Sequence, residues 1–121
     1  MNLFDASALL AFLQGEAGSD VVETKLVEGG VCGAANWSEV AQKVRSSGRD
    51  WELARALLSS YGLGVEPVTE ADAELAAELW TRGSGRSLGD RLCLALGRRL
   101  DATVWTADTE WGSDGPVQQI R

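Results

Sequence analysis

The sequence contains no histidine, and that absence removes more chemistry than any other feature of the chain. Without imidazole there can be no Ser-His-Asp triad, no Cys-His pair and no histidine-zinc site. Cysteine is nearly absent too. Cys32 and Cys93 are too few for a zinc site of their own, each lies inside an apolar segment, and a domain of 121 residues does not need a disulfide to fold. They read as reduced, buried and structural, which carries the expectation of a cytoplasmic protein. A long apolar run is also missing. Leu3 to Leu13 covers about half of the ~20 residues a membrane helix needs, and Asp5 and Ser7 interrupt it. No basic stretch precedes an apolar run with a cleavage site, so neither an export signal nor a membrane is expected. The glycine-rich segment from Gly83 to Gly89 follows a helical pattern rather than a strand. It has neither the spacing of a dinucleotide fingerprint nor the Gly-Lys-Ser/Thr of a phosphate-binding loop. Excess positive charge is lacking as well: the formal net charge is −7, which argues against a protein that holds nucleic acid by bulk electrostatics.

What the chain does have is carboxylates in conspicuous places. Asp5, Glu39, Asp90 and Asp108 each sit where an apolar strand pattern ends or a helix opens. Acids gathered without imidazole can form an all-oxygen cradle for a hard cation such as magnesium or manganese. That points to metal-assisted attack on a phosphodiester. Asp5 is the only charge between Met1 and Gln14. An unpaired buried carboxylate costs several kcal/mol, so it needs a metal or another partner, unless it serves as an N-cap. Asp90 precedes Cys93, Leu94 and Gly97 on one helical stripe, with Gly89 allowing close backbone approach; the competing role is a first-turn acid favoured by the helix dipole. Asp108 follows Val104 to Ala107 at a strand end, where Asp often caps the next turn. Glu39 points away from the stripe of Trp37, Val40 and Val44, and by pattern alone is a solvated first-turn glutamate.

Strand and helix signals alternate along the chain. Strands are expected at Met1–Phe4, Val31–Ala35, Val65–Val68, Thr103–Thr106 and Val117–Ile120. Helices are expected from Ser7, from a cap at Ser19, from a cap at Asn36, from Asp50, from Thr69 to Arg82, and from Ser87 to Leu100. Alternation of this kind implies a single α/β/α domain over residues 1–121, with helices on both faces of a central parallel sheet of about four to five strands. Ligands of such sheets lie outside the carboxyl ends of the strands, and Asp5, Asn36 with Glu39, and Asp108 all follow strands. Trp37, Trp80 and Trp105 fall on apolar stripes and are expected in the core; Trp51 and Trp111 are left open. Charge is uneven: residues 82–99 hold five arginines against Asp90, while residues 66–78 hold five acids and no base. A basic flank of that kind suits a phosphate-bearing substrate, or is simply a solvated helix face.

Four segments, Leu3-Phe4-Asp5-Ala6-Ser7-Ala8, Asn36-Trp37-Ser38-Glu39-Val40, Ser87-Leu88-Gly89-Asp90-Arg91-Leu92-Cys93-Leu94-Ala95 and Thr106-Ala107-Asp108, together resemble the PIN-domain family. Their closest likeness is to the VapC-type toxins of bacterial toxin–antitoxin pairs. The resemblance implies a magnesium- or manganese-dependent ribonuclease, a homodimer, and an antitoxin partner that holds it inactive. It implies acidic metal-binding roles for Asp5, Glu39, Asp90 and Asp108, and polar supporting roles for Ser7, Asn36 and Thr106. Two departures stand out. Trp37 replaces a more usual aliphatic residue, and a further acid that many relatives carry after the Thr-Ala-Asp segment is represented only by Glu110 or Asp114, at uncertain spacing. The alternatives are a catalytically inactive PIN-like binding module and a receiver-type signalling domain. The receiver needs an acid pair after the first strand and a late lysine, and no lysine follows Lys43.

Overall fold

Apolar residues that alternate between the two sides of short strands build the centre of the molecule. The computed structural model describes residues 1–121. In chain order the elements are β1 (Asn2–Phe4), α1 (Ala6–Gln14), α2 (Ser19–Glu28), β2 (Gly30–Gly33), α3 (Ala34–Ser46), α4 (Trp51–Ser60), β3 (Gly64–Glu66), α5 (Glu70–Glu78), α6 (Leu88–Leu100), β4 (Thr103–Thr106), a 3-10 turn (Thr109–Trp111) and β5 (Val117–Gln119). The five strands form one parallel sheet in the order β3-β2-β1-β4-β5. A receiver domain would instead run 2-1-3-4-5, so that alternative is excluded.

Strand register sorts the core onto two faces. Leu3 pairs with Val104, and Val104 with Val117; these three pack with Cys93, Leu96 and Trp111 beneath α6. Their neighbour Phe4 points the other way, among Leu9, Val22, Leu26, Val40 and Leu58 from the helices of the opposite face. The period of two is the physical origin of the sandwich. Gly97 lets α6 lie directly on the sheet, because a Cβ there would meet Val104 Cγ2 at 2.7 Å.

Local signals explain most of the boundaries. Asp50 caps α4 through Leu53 N, while Thr69 and Ser87 each form a reciprocal capping box with Asp72 and Asp90. Helix α6 and β4 fall where the sequence pattern puts them. Four expectations need correction. Asn36 caps nothing: α3 already begins at Ala34 behind Gly33, which makes Asn36 a buried residue inside the first turn and shortens β2. Ser19 is the first residue of α2 behind Gly18, which lends no side-chain cap. Helix α5 stops at Glu78, since beyond Leu79 no apolar stripe remains to hold it on α6. Trp80 is consequently 54% exposed rather than in the core, while Trp51 and Trp111 are buried. Trp37 and Trp105 are half-buried; Trp37 meets Trp51 edge-on at 5.1 Å.

Candidate active site

In the strand order, the winding reverses between β1 and β4. The carboxyl ends of these two strands therefore open a crevice at the switch point of the sheet. Asp5 follows β1 directly, and Asp108 lies two residues beyond β4. Helix α3 leaves the end of β2 and brings Glu39; α6 runs back toward β4, so its first turn brings Asp90 to the same edge. All four acids line one cleft of about 170 Å³, together with Ser7, Asn36 and Lys43. Thr106 is fully buried beneath it and bonded to Asp5.

Asp5 is held by a network in which every proton can be assigned. Its Oδ1 accepts from Ser7 Oγ at 2.7 Å and from the Ala8 amide at 2.8 Å. Its Oδ2 accepts from Thr106 Oγ1 at 2.6 Å. With their protons spent on Asp5, the two hydroxyls use lone pairs for the next turn: Ser7 Oγ accepts from Ala107 N at 2.9 Å and Thr106 Oγ1 from Asp108 N at 3.0 Å. The same side chains that orient Asp5 thus also fix the backbone presenting Asp108. Asp5 is both the N-cap of α1 and an inward-facing acid, so the two readings of its sequence position are compatible.

Asp90 and Asp108 combine roles in the same way. Asp90 Oδ2 accepts from the Ser87 amide at 3.0 Å and closes the capping box. Asp108 Oδ1 accepts from Glu110 N at 2.9 Å and caps the 3-10 turn. Each cap uses one carboxylate oxygen and leaves the other without a partner in the protein. Glu39 was the acid whose pattern pointed to solvent; it is half-buried because α3 packs against α6 at Gly89. A Cβ at Gly89 would collide with Glu39 Oε1, so the glycine makes room for the carboxylate. Asn36 Nδ2 ties Glu39 Oε1 at 3.2 Å and the Gly89 carbonyl at 3.3 Å, bridging the two helices. Its Oδ1 is buried with no partner.

The electrostatics are those of crowded, poorly solvated acids. Burial pushes the Asp5 carboxyl up to about 6, against the lowering effect of its hydrogen bonds from Thr106, Ala8 and Ser7, and the charge of Asp90 adds to the rise. Burial also raises Glu39, with Asp90 again adding, while Asn36 and Lys43 pull it down. Strain of this kind is what a bound cation relieves. The donor set is all oxygen, as hard divalent cations prefer, and one buried amide oxygen is unsatisfied, so the residues fit such an ion. No three acid or cysteine side chains already converge in coordinating geometry.

Sequence reasoning missed Lys43, the one cation lining the cleft. Its spacing of four from Glu39 on a helix was the available signal. Glu110 is exposed and Asp114 lines a different cleft, so neither extends this acid group.

A family model for the PIN domain matches residues 3–113. Among solved structures, a toxin–antitoxin complex from Klebsiella pneumoniae superposes with a TM-score of 0.79 at 18% identity, covering 100% of this chain and 98% of that one. VapC20 of Mycobacterium tuberculosis, described as a sarcin–ricin loop cleaving toxin, superposes with a TM-score of 0.72 at 19% identity, covering 95% of each chain. No curated protein sequence matches.

Proposed function

The chain belongs to the PIN domain family, and from that premise we propose that it is a divalent-metal-dependent endoribonuclease, the toxin of a type II toxin–antitoxin pair. The observation that carries the reading is the single cleft at the switch point lined by Asp5, Glu39, Asp90 and Asp108 beside Lys43. These four acids would hold magnesium or manganese, which when bound lowers the pKa of water and offsets charge on a scissile phosphate.

The protein's own groups supply the rest. Ser7 and Thr106 lock the Asp5 carboxylate in one orientation, so no reorganisation is needed during reaction. Glu39, tethered at Oε1 by Asn36, keeps Oε2 to complete the acidic cluster or to orient a water. Lys43 opposes the charge of the phosphate entering an otherwise acidic cleft.

The whole chain, residues 1–121, acts as one nuclease domain in this proposal. Its partners are an RNA strand, a second copy of the chain, and an antitoxin that silences it by placing a basic side chain among the acids. No helix is long and apolar enough to cross a membrane. Both thiols are free and buried, and an RNA target suits the cytoplasm. Cleavage of RNA by antitoxin-free protein with magnesium, with manganese and with chelator tests the reading. Metal-dependent cutting is expected. Undiminished cutting in excess chelator removes the metal mechanism, and no cutting with either metal turns the protein into a binding module.

A further inference from the structure

The five arginines of residues 82–99 separate into three groups in the fold. Arg99 forms a two-pronged pair with Asp72 at 2.9 and 3.1 Å, and Arg91 donates to the Ala76 carbonyl at 2.7 Å; these two fasten α6 to α5. Arg82 lies over the exposed Trp80 ring at 5.9 Å. Arg86 and Arg98 remain. Neither guanidinium has an acid within ion-pair distance or a hydrogen-bond acceptor, and both line one cleft of about 210 Å³ with Leu94, Trp111 and Asp114. Trp111 forms a wall of this cleft, and its buried indole N–H has no acceptor in the protein. Attraction to the C-terminal end of α6 accounts for a basic residue at Arg98, but not for Arg86, which precedes the helix and shares the cleft.

Helix α6 contributes to both the acidic cleft and this one. Asp90 lines the first, and Leu94 and Arg98 line the second, at successive four-residue steps along α6; Arg98 thus lies ~12 Å farther along the axis than Asp90. The 3-10 turn is shared as well: Asp108 faces the acids, and Trp111, whose amide donates to the Asp108 carbonyl at 3.2 Å, faces the arginines. We propose that the cleft between Arg86, Arg98 and Trp111 is a second phosphate site, holding a backbone phosphate of the RNA strand away from the bond being cut. Two unpaired guanidiniums offer the planar, charged donors that phosphate oxygens take best. Such a site gives a chain of charge −7 a local means of gripping a polyanion. Asp114, which also lines the cleft, opposes binding and sets an upper limit on affinity.

The inference rests on the ribonuclease reading, and its test separates the two. Arg86→Gln and Arg98→Gln are compared with Arg82→Gln, which removes the same charge outside the cleft. Each of the first two should raise KM for RNA several-fold with a smaller change in kcat, and each should lower the salt dependence of KM by about 0.7 in log–log slope, one strand phosphate's worth. Arg82→Gln should leave both values near the parent's, and Asp114→Asn should lower KM. Equal effects from all three arginine substitutions would mean bulk electrostatics and would overturn the site. If the parent cleaves no RNA, the ribonuclease reading falls, and inorganic phosphate decides the site alone. The Trp111 indole resonance, identified by its loss in Trp111→Phe, should then move on titration in the parent and stay still in the doubly substituted Arg86→Gln, Arg98→Gln protein. A resonance that phosphate leaves unmoved in the parent overturns the proposal.

Discussion

In the absence of divalent cations this protein should become less stable as pH rises toward neutrality, and Asp5 is the reason. In the unfolded chain its carboxyl titrates near 3.8, whereas burial lifts it to about 6 in the folded one. A raised carboxyl pKa means the folded state binds more protons between those values, so stability falls as pH climbs through them. The full penalty above the folded value is about 3 kcal/mol, of which about 2 kcal/mol accumulates between about pH 4.5 and 7.5. The raised Glu39 acts in the same direction. Asp72 does not interfere: although burial alone would raise it, Arg99 and the Thr69 amide bring it below its ordinary value, so its contribution is lost only at lower pH. In chelator, urea unfolding at the two pH values should therefore show the parent weaker at the higher one, by roughly 8 °C in Tm if melted instead. Asp5→Asn removes the titration. Its amide oxygen can keep the bonds from Ser7 and Ala8, and the Thr106 hydroxyl can turn to accept from the new NH2. The variant should be more stable than the parent at about pH 7.5 by about 1–2 kcal/mol, after subtracting about 1 kcal/mol for the weakened bond, and RNA cleavage should fall by orders of magnitude. A parent whose stability is level or rising across this range, or an Asp5→Asn variant with the parent's slope, would refute the reasoning.

Magnesium at a hundred times its dissociation constant should stabilise the parent by about 2.7 kcal/mol, and thermal melts of Asp90→Asn should show much less gain; an unchanged gain would leave Asp90 as only the capping residue of α6. Gly89→Ala, which ordinarily strengthens a helix by about 1 kcal/mol, should instead lower RNA cleavage at least tenfold, because the new Cβ displaces Glu39; parent-like rates would show that Glu39 need not sit there. Gly97→Ala should destabilise by about 1–3 kcal/mol in urea titrations, since Val104 leaves no room between α6 and the sheet, with little effect on the metal response. Sedimentation should find a dimer, and a monomer at every accessible concentration would count against pairing of two copies.

Much of the fold was legible in the residues, because its determinants are local. Ser87, Thr69 and Asp50 announce helix starts with their own side chains, and the alternation of Leu3 with Phe4 assigns each to a face without reference to anything distant. The absence of histidine and the placing of Asp5, Asp90 and Asp108 at element ends narrowed the chemistry before any contact was known. Other features depended on which elements meet. Glu39 reads as solvated on its own helix, and only the packing of α3 onto α6 at Gly89 turns it toward the cleft. Asn36 looked like a cap but bridges two helices 53 residues apart in sequence. Trp80 lay on an apolar stripe that ends one residue too early to bury it. The arginines of residues 82–99 formed one basic run in the chain; α5 neutralises Arg99, the Ala76 carbonyl takes Arg91, and Arg86 and Arg98 are left facing a common space. Caps and periodicity act within a few residues, so the sequence by itself determines them. Burial, pairing and the convergence of acids from four separate segments depend on long-range packing, and only the tertiary structure decides them.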